Sequence, residues 1–141
     1  MDDDSAIDAA TLDAYRATDY LVFGDIPLTL RIDESNADLA ALHAAAQVHS
    51  SAFISACNPY SQPLSDAQNA SRQAALAALL QESGYFFIDG SGQSRDKKWR
   101  EPSFLVLGIT LPEARELAVR FEQNAILWCD ADAVPRLERL R

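Results

Sequence analysis

The stretch that most constrains the fold covers residues 53–72 and changes character three times. An apolar run is followed by a polar Asn-Pro-Tyr-Ser turn, the NPYS turn (residues 58–61), and then by a helical segment. Ser65 and Gln68 have the spacing of a capping box, which predicts a helix from about residue 65 to Glu82, ending before Gly84. A buried strand that leads through a polar turn into a helix is typical of α/β architecture.

Other apolar runs predict further strands around this unit. Continuous apolar runs at residues 52–57, 84–89, 103–109 and 124–129 indicate strands buried on both faces. Helices are predicted over residues 36–48 and, from the Thr110 and Glu113 capping box, over residues 110–121. Two strand-helix-strand crossovers result. The sequence therefore predicts an α/β (α+β) single domain with a mixed sheet of about five strands and packed helices.

The remaining segments are predicted from turn and alternation signals. Residues 11–17 form a short helix, and residues 20–32 form a bulged strand or a hairpin at a sheet edge, because Pro27 interrupts the alternation. Gly90-Ser91-Gly92 turns the chain, and residues 135–141 form a short helix or a tail. We expect a disordered acidic tail over residues 1–10 and one globular domain over residues 11–141.

Charge is concentrated at the front of the chain. Residues 1–38 hold ten acids against Arg16 and Arg31, a net charge of −8, whereas the whole chain carries −9. Nucleic acid is not an expected partner, because binding phosphates requires a basic surface. The acidic front is expected to be a solvated tail or, alternatively, a docking arm for a basic partner.

Membrane insertion and secretion are not expected. No apolar run approaches the roughly 18 residues that a membrane span needs. The start of the chain, MDDDSAIDAA, carries acids where a secretory leader carries Lys or Arg. These two features predict a soluble protein in the cytoplasm, without a membrane partner.

Metal and cofactor motifs are missing from the sequence. Cys57 and Cys129 have no CxxC spacing, and His43 and His49 are the only histidines. Both cysteines are expected to be small buried side chains, so no metal site is predicted. No glycine-rich phosphate loop and no GxSxG motif occurs, so no cofactor is predicted either.

One arginine on the second predicted helix requires a partner. At about 100° per residue, Asn69 and Arg72 fall on the face that later carries Leu76 and Leu80. An unpaired charge on a buried face is strongly unfavourable. Arg72 is therefore expected to pair with a carboxylate such as Glu101, with carbonyl groups at strand ends, or with an anionic ligand.

The NPYS turn and the loop before residue 103 supply further candidates. Asn58 and Ser61 lie at the turn, beside a helix N-terminus that offers free N–H groups. Trp99 and Glu101 would bring an aromatic face and a general base to the same place. The amides of Gln123 and Asn124 would point inward or end a helix. The predicted site consists of Glu101 as the catalytic residue and of the ligand-binding residues Asn58, Ser61, Asn69, Arg72, Trp99, Gln123 and Asn124.

Four sequence segments, taken together in their order along the chain, carry a family resemblance. The segments FISACNPYSQPLS, Asn69 with Arg72, WREPSFLVLGI and FEQNAILW together resemble the bacterial domain-of-unknown-function family 3293. The likeness covers about residues 12–130. Cys57 stands where that family often has an aromatic residue, which speaks against a catalytic cysteine. The resemblance implies a small bacterial protein of this architecture and supports the site positions, but it implies no activity.

Two functions follow from these observations. In the first, the domain binds a polar or anionic small molecule at the NPYS turn and the N-terminus of the second helix. In the second, it is a non-catalytic regulatory or protein-interaction domain with a buried Arg–Glu network. The first predicts an open pocket with Arg72 accessible, and the second predicts Arg72 enclosed by Glu101 and carbonyl groups. The sequence leaves the reaction, the ligand and the oligomeric state open.

Overall fold

A computed structural model describes residues 7–141. Its elements, in chain order, are α1 (Ala9–Arg16), β1 (Thr18–Val22), β2 (Leu28–Leu30), α2 (Ala37–Ala46), β3 (Ser51–Ile54), a 3₁₀ turn (Pro59–Ser61), α3 (Asp66–Glu82), β4 (Phe86–Ser94), β5 (Arg100–Leu107), α4 (Leu111–Arg120), β6 (Ala125–Cys129) and β7 (Pro135–Arg139). A disordered tail was predicted for residues 1–10. Residues 1–6 lie outside the described residues, and α1 begins at Ala9, inside the predicted tail. No helix in residues 7–141 is long and apolar enough to cross a membrane.

The strands form one sheet in the order β2-β1-β4-β5-β3-β6-β7, and every neighbouring pair is antiparallel. The prediction of a mixed sheet of about five strands was therefore wrong in strand number and in pairing. Both predicted crossovers exist, but each passes over one strand: β5 lies between β3 and β4, and β3 lies between β5 and β6. This connectivity of β3 to β6 is the β-α-β-β-α-β arrangement of ferredoxin-like folds.

The capping boxes give the starts of α3 and α4 correctly, whereas the first helix begins at Ala9 instead of residue 11 and the chain end differs from its prediction. Capping boxes begin α3 at Ser65 and α4 at Thr110, as predicted. The segment from residue 135 is the strand β7 and neither a helix nor a tail. Pro135 occupies the first position of this edge strand, where proline is tolerated. The segment predicted over residues 20–32 as a bulged strand or a hairpin belongs to a hairpin of β1 and β2, with β2 at the sheet edge.

Each face of the sheet packs against its own core, because side chains alternate along the strands. On β5, Leu105 and Leu107 enter the first core, which α2 covers through Leu39. Phe104 and Val106 enter the second core, which α3 and α4 cover. The sheet is therefore buried on both faces by different helices.

The sheet curls around the first core. Side chains from the opposite edge strands, Leu30 of β2 and Leu137 of β7, both pack in this core. The backbone N–H of Asp33 donates to the carbonyl oxygen of Pro135 at 2.7 Å, which joins the two edges. The curl creates a concave face that is filled at one end by the first core.

The Gly90-Ser91-Gly92 segment was predicted to turn the chain, but it lies inside β4. A Cβ atom on Gly90 would be 2.4 Å from the carbonyl oxygen of Leu21 and 3.0 Å from the Phe53 ring. Glycine is needed here because neighbouring backbones approach too closely for a side chain. The segment therefore permits the close packing of β1 and β4 where the sheet curls.

Candidate functional site

A cavity of about 360 Å³ lies on the concave face of the sheet, beyond the first core. Six of the seven strands contribute to its wall. Seven of the eight predicted site residues line it, and the exception is Arg72. The seven residues are Asn58, Ser61, Asn69, Trp99, Glu101, Gln123 and Asn124.

The two-residue period of β5 explains why Glu101 reaches this cavity. Glu101 and Ser103 lie on the same face of β5 as Leu105, which packs in the first core. Because β5 is paired with β3, Phe53 and Ser55 line the cavity beside them. The cavity is thus a polar continuation of the apolar first core.

The NPYS turn has an unusual backbone. Asn58, Tyr60 and Ser61 have φ values of 48°, 52° and 61°, in the left-handed region that non-glycine residues rarely adopt. A proline biases the residue before it towards an extended backbone, but Asn58, which precedes Pro59, is left-handed. Residues in this region cost about 1–3 kcal/mol each and persist only where the surroundings hold them. The NPYS turn is therefore held in a conformation that it would not adopt alone.

Contacts from two helical regions hold the turn in place. The Asn58 backbone N–H donates to Asn69 Oδ1 at 2.9 Å, and Asn69 Nδ2 donates to Asn58 Oδ1 at 2.8 Å. The backbone N–H of Tyr60 donates to the carbonyl oxygen of Glu122, just after α4, at 2.7 Å. Asn69 therefore orients Asn58, the residue that contacts the acid of the site.

Glu101 is the acid in this cavity. Asn58 Nδ2 donates to Glu101 Oε2 at 2.9 Å. Burial raises the pKa of Glu101 to about 7, although hydrogen bonds from Asn58 and Ser55 act to lower it. At neutral pH both the protonated and the ionised forms are therefore populated, which suits a group that accepts and returns a proton.

Aromatic rings form much of the remaining wall. The Trp99 ring lies over Gly92, 3.5 Å from where a Cβ atom would be, and 44% of the residue is exposed. Tyr15, Tyr20 and Phe53 also line the cavity. The cavity thus combines aromatic surfaces with one partly buried carboxyl group.

Two predicted amides bond within the protein. Gln123 Nε2 donates to the carbonyl oxygen of Cys57 at 3.0 Å. Asn124 Nδ2 donates to Ser61 Oγ at 2.9 Å and to Tyr15 Oη at 3.2 Å. Both amides therefore point inward, which was one of the two alternatives. They connect the end of α4 and the start of β6 to the NPYS turn and α1.

Arg72 has partners, but it binds neither Glu101 nor the cavity. Its Nε donates to the carbonyl oxygen of Ala56 at 2.6 Å, and its Nη2 donates to that of Phe121 at 2.5 Å. Glu122 Oε1 lies 3.4 Å from Nη1, and the Arg72 side chain is 25% exposed. Arg72 joins the chain after β3 to the end of α4, directly behind the NPYS turn.

Neither cysteine has the environment of a nucleophile. Both are buried and free. Burial raises the pKa of Cys57, and it raises the pKa of Cys129 to about 12, so both thiols stay protonated at neutral pH. Within residues 7–141, no group of three or more His, Cys, Asp or Glu side chains is placed to hold a metal ion.

Several wall residues were not identified from the sequence. Tyr15 lies in the short helix predicted over residues 11–17, and Tyr20 lies in the strand or hairpin predicted over residues 20–32. Ser103 lies in a predicted strand and in the WREPSFLVLGI segment of the family resemblance, but it is not among the predicted site residues. The spacing of Glu101 and Ser103, two residues apart on one strand, was an available signal for Ser103. Tyr15 and Tyr20 had no such signal, because only the curl of the sheet brings β1 and α1 to the cavity.

A comparison with known protein families finds one family that matches the chain. The family described as "Protein of unknown function (DUF3293)" matches residues 54–126. The chain belongs to this family. The DUF3293 match begins at the end of β3, ends in β6 and contains all eight predicted site residues. No curated protein and no solved structure matches the chain.

Proposed function

We propose that this DUF3293 domain binds a small polar molecule in the cavity around Glu101. The observation that carries the proposal is the convergence of seven residues, singled out by their chemistry, on one cavity with a partly buried carboxyl group whose pKa is raised. The volume of the cavity, about 360 Å³, lies within the range of small-molecule sites. If the protein is an enzyme, Glu101 is its proton acceptor.

The strained NPYS turn supports a binding function over a purely structural one. Three residues in the left-handed region within four positions are costly, and such strain is concentrated at binding and catalytic sites. Arg72 and Asn69 hold this turn from behind and from the side. In this proposal Arg72 is a positioning residue. The alternative function expected a buried Arg–Glu network, and here the ion pair of Arg72 with Glu122 helps to hold the NPYS turn.

A thermal-shift screen tests the proposal. We expect at least one compound among nucleotides, sugar phosphates, carboxylates and amines to stabilise the wild type. At one hundred times Kd the gain is about 2.7 kcal/mol, which raises Tm by several degrees for a chain of this size. Glu101→Gln and Trp99→Ala should lose most of this gain, because both side chains line the cavity.

The control for this screen is Glu116→Gln, which removes an exposed carboxylate on α4. It should keep the full ligand-induced shift. The proposal fails if no compound stabilises the wild type, or if the two cavity variants respond as strongly as the wild type and the control.

A further inference from the structure

Within the proposed function, on which this inference rests, we infer the chemical class of the ligand. It carries a planar group with two adjacent N–H donors, such as an amidinium, a guanidinium or an aminated nitrogen heterocycle. Three features of the cavity carry this inference: its remaining hydrogen-bonding capacity, its charge and its aromatic walls.

The amide groups of the cavity are largely occupied by bonds within the protein. Asn58 and Asn69 bond to each other, and Asn58 Oδ1 also accepts from the backbone N–H of Leu64 at 3.1 Å. Asn124 donates to Ser61 and Tyr15, and Gln123 donates to backbone carbonyls. These side chains therefore offer few donors to an anionic ligand.

Glu101 has acceptor capacity left. An ionised carboxylate accepts at about four positions, and the hydrogen bonds from Asn58 and Ser55 occupy two of them. A planar group with paired N–H donors matches a carboxylate through two parallel hydrogen bonds, an arrangement that is both strong and specific. Glu101 is therefore the natural partner of such a group.

The charges around the cavity favour the same class. Its acidic residues are Glu101 and Asp66, and among the described residues the only Lys or Arg that lines it is Arg100, which is exposed. The arginine expected to hold an anion, Arg72, is bonded to carbonyls outside the cavity. A cation or a neutral N–H donor thus finds two carboxyl groups in the cavity wall, whereas an anion finds one exposed arginine.

The aromatic walls select a flat group. Trp99, Tyr20 and Tyr15 line the cavity together with the carboxyl group. Aromatic faces attract cations within about 6 Å of the ring centre and stack on planar groups. A planar N–H donor satisfies the carboxylate at its edge and the rings at its faces.

Three probes of nearly equal shape separate the possible classes. Benzamidine carries the planar cation, benzoate carries an anion in the same place, and benzamide is neutral. We expect benzamidine to stabilise the wild type and benzoate to leave Tm unchanged, with benzamide in between. Glu101→Gln should lose the benzamidine shift, whereas Glu116→Gln on the exposed face of α4 should keep it.

The affinity for benzamidine should also depend on pH in a fixed direction. Because the pKa of Glu101 is about 7, the ionised fraction rises about tenfold between pH 6 and pH 8, and the affinity of the cation should rise by the same factor. Binding near pH 6 should release a proton, which calorimetry in two buffers detects. Tyr15, Tyr20, Asp66 and Arg100 also line the cavity and remain in Glu101→Gln, so that variant reports their contribution.

The possible outcomes distinguish the ligand class from the site itself. If benzoate binds as tightly as benzamidine and Glu101→Gln does not weaken benzamidine binding, the inferred ligand class is wrong, while the proposal of a binding cavity stands. If none of the three probes binds, the class is also wrong, and the broader screen then decides the proposed function by itself. Tighter benzamidine binding at pH 6 than at pH 8 would likewise overturn the inference.

Discussion

Gly90→Ala is expected to lower the free energy of unfolding by about 3 kcal/mol or more, at the upper end of the range for overpacked sites. The added methyl group would lie 2.4 Å from the carbonyl oxygen of Leu21, so the backbone of β1 must move. It would also press on Phe53, which forms part of the cavity wall. Urea denaturation measures the loss. The substitution thus tests the curl of the sheet on which the cavity depends.

Gly92→Ala is the matched control on the same strand. A Cβ atom at Gly92 would meet Trp99 at 3.5 Å and Thr18 at 3.7 Å, which are ordinary contacts with side chains. We expect a change of less than about 1 kcal/mol in the free energy of unfolding. Equal effects of the two substitutions would contradict the close approach of β1 and β4 at Gly90.

Arg72→Ala is expected to lower the free energy of unfolding by about 2–4 kcal/mol, since hydrogen bonds to charged groups contribute about 1.5–3 kcal/mol each. The substitution leaves the carbonyl groups of Ala56 and Phe121 without this donor and frees the Glu122 carboxylate. Chemical denaturation at pH 7 measures the loss. Ligand affinity, measured below the melting range, should change much less than in Glu101→Gln.

Arg136→Ala provides the comparison for Arg72. Arg136 pairs with Asp132 at 2.7 Å, but both side chains are 49% exposed. Exposed ion pairs contribute about 0–1 kcal/mol, so this substitution should be nearly neutral. Similar losses for the two arginines would mean that Arg72 does not join β3 to α4. Loss of ligand binding in Arg72→Ala as complete as in Glu101→Gln, in a folded protein, would contradict the role of Arg72 as a positioning residue.

The site was predictable from the sequence to the extent that its signals are local. Turn residues, capping boxes and a polar start to a helix face identify Asn58, Ser61, Asn69 and Arg72 without knowledge of the sheet. The chemistry also required a partner for Arg72, and the structure supplies three: the carbonyl groups of Ala56 and Phe121 and the carboxylate of Glu122. Which of the three partner types it uses depends on the end of α4, fifty residues away in the chain, and no local pattern specifies that.

The sheet order was not predictable for a related reason. Each crossover was correctly placed along the chain, but the strand order depends on which strand enters the gap that the crossover leaves. The Gly-Ser-Gly segment has the composition of a turn, and only the proximity of Leu21 explains its place within β4. Edge strands such as β7 are short and carry charges, so their apolar signal is weak.

The titration of Glu101 shows whether this cavity holds a carboxyl group that exchanges a proton near neutral pH. Carbon-13 NMR follows the side-chain carboxyl signal of Glu101 across pH, and its absence in Glu101→Gln assigns it. We expect a midpoint of about 7, because partial burial in the cavity disfavours the ionised carboxylate. A midpoint near the ordinary value of 4.5 would show a solvated carboxylate and would contradict the site described here.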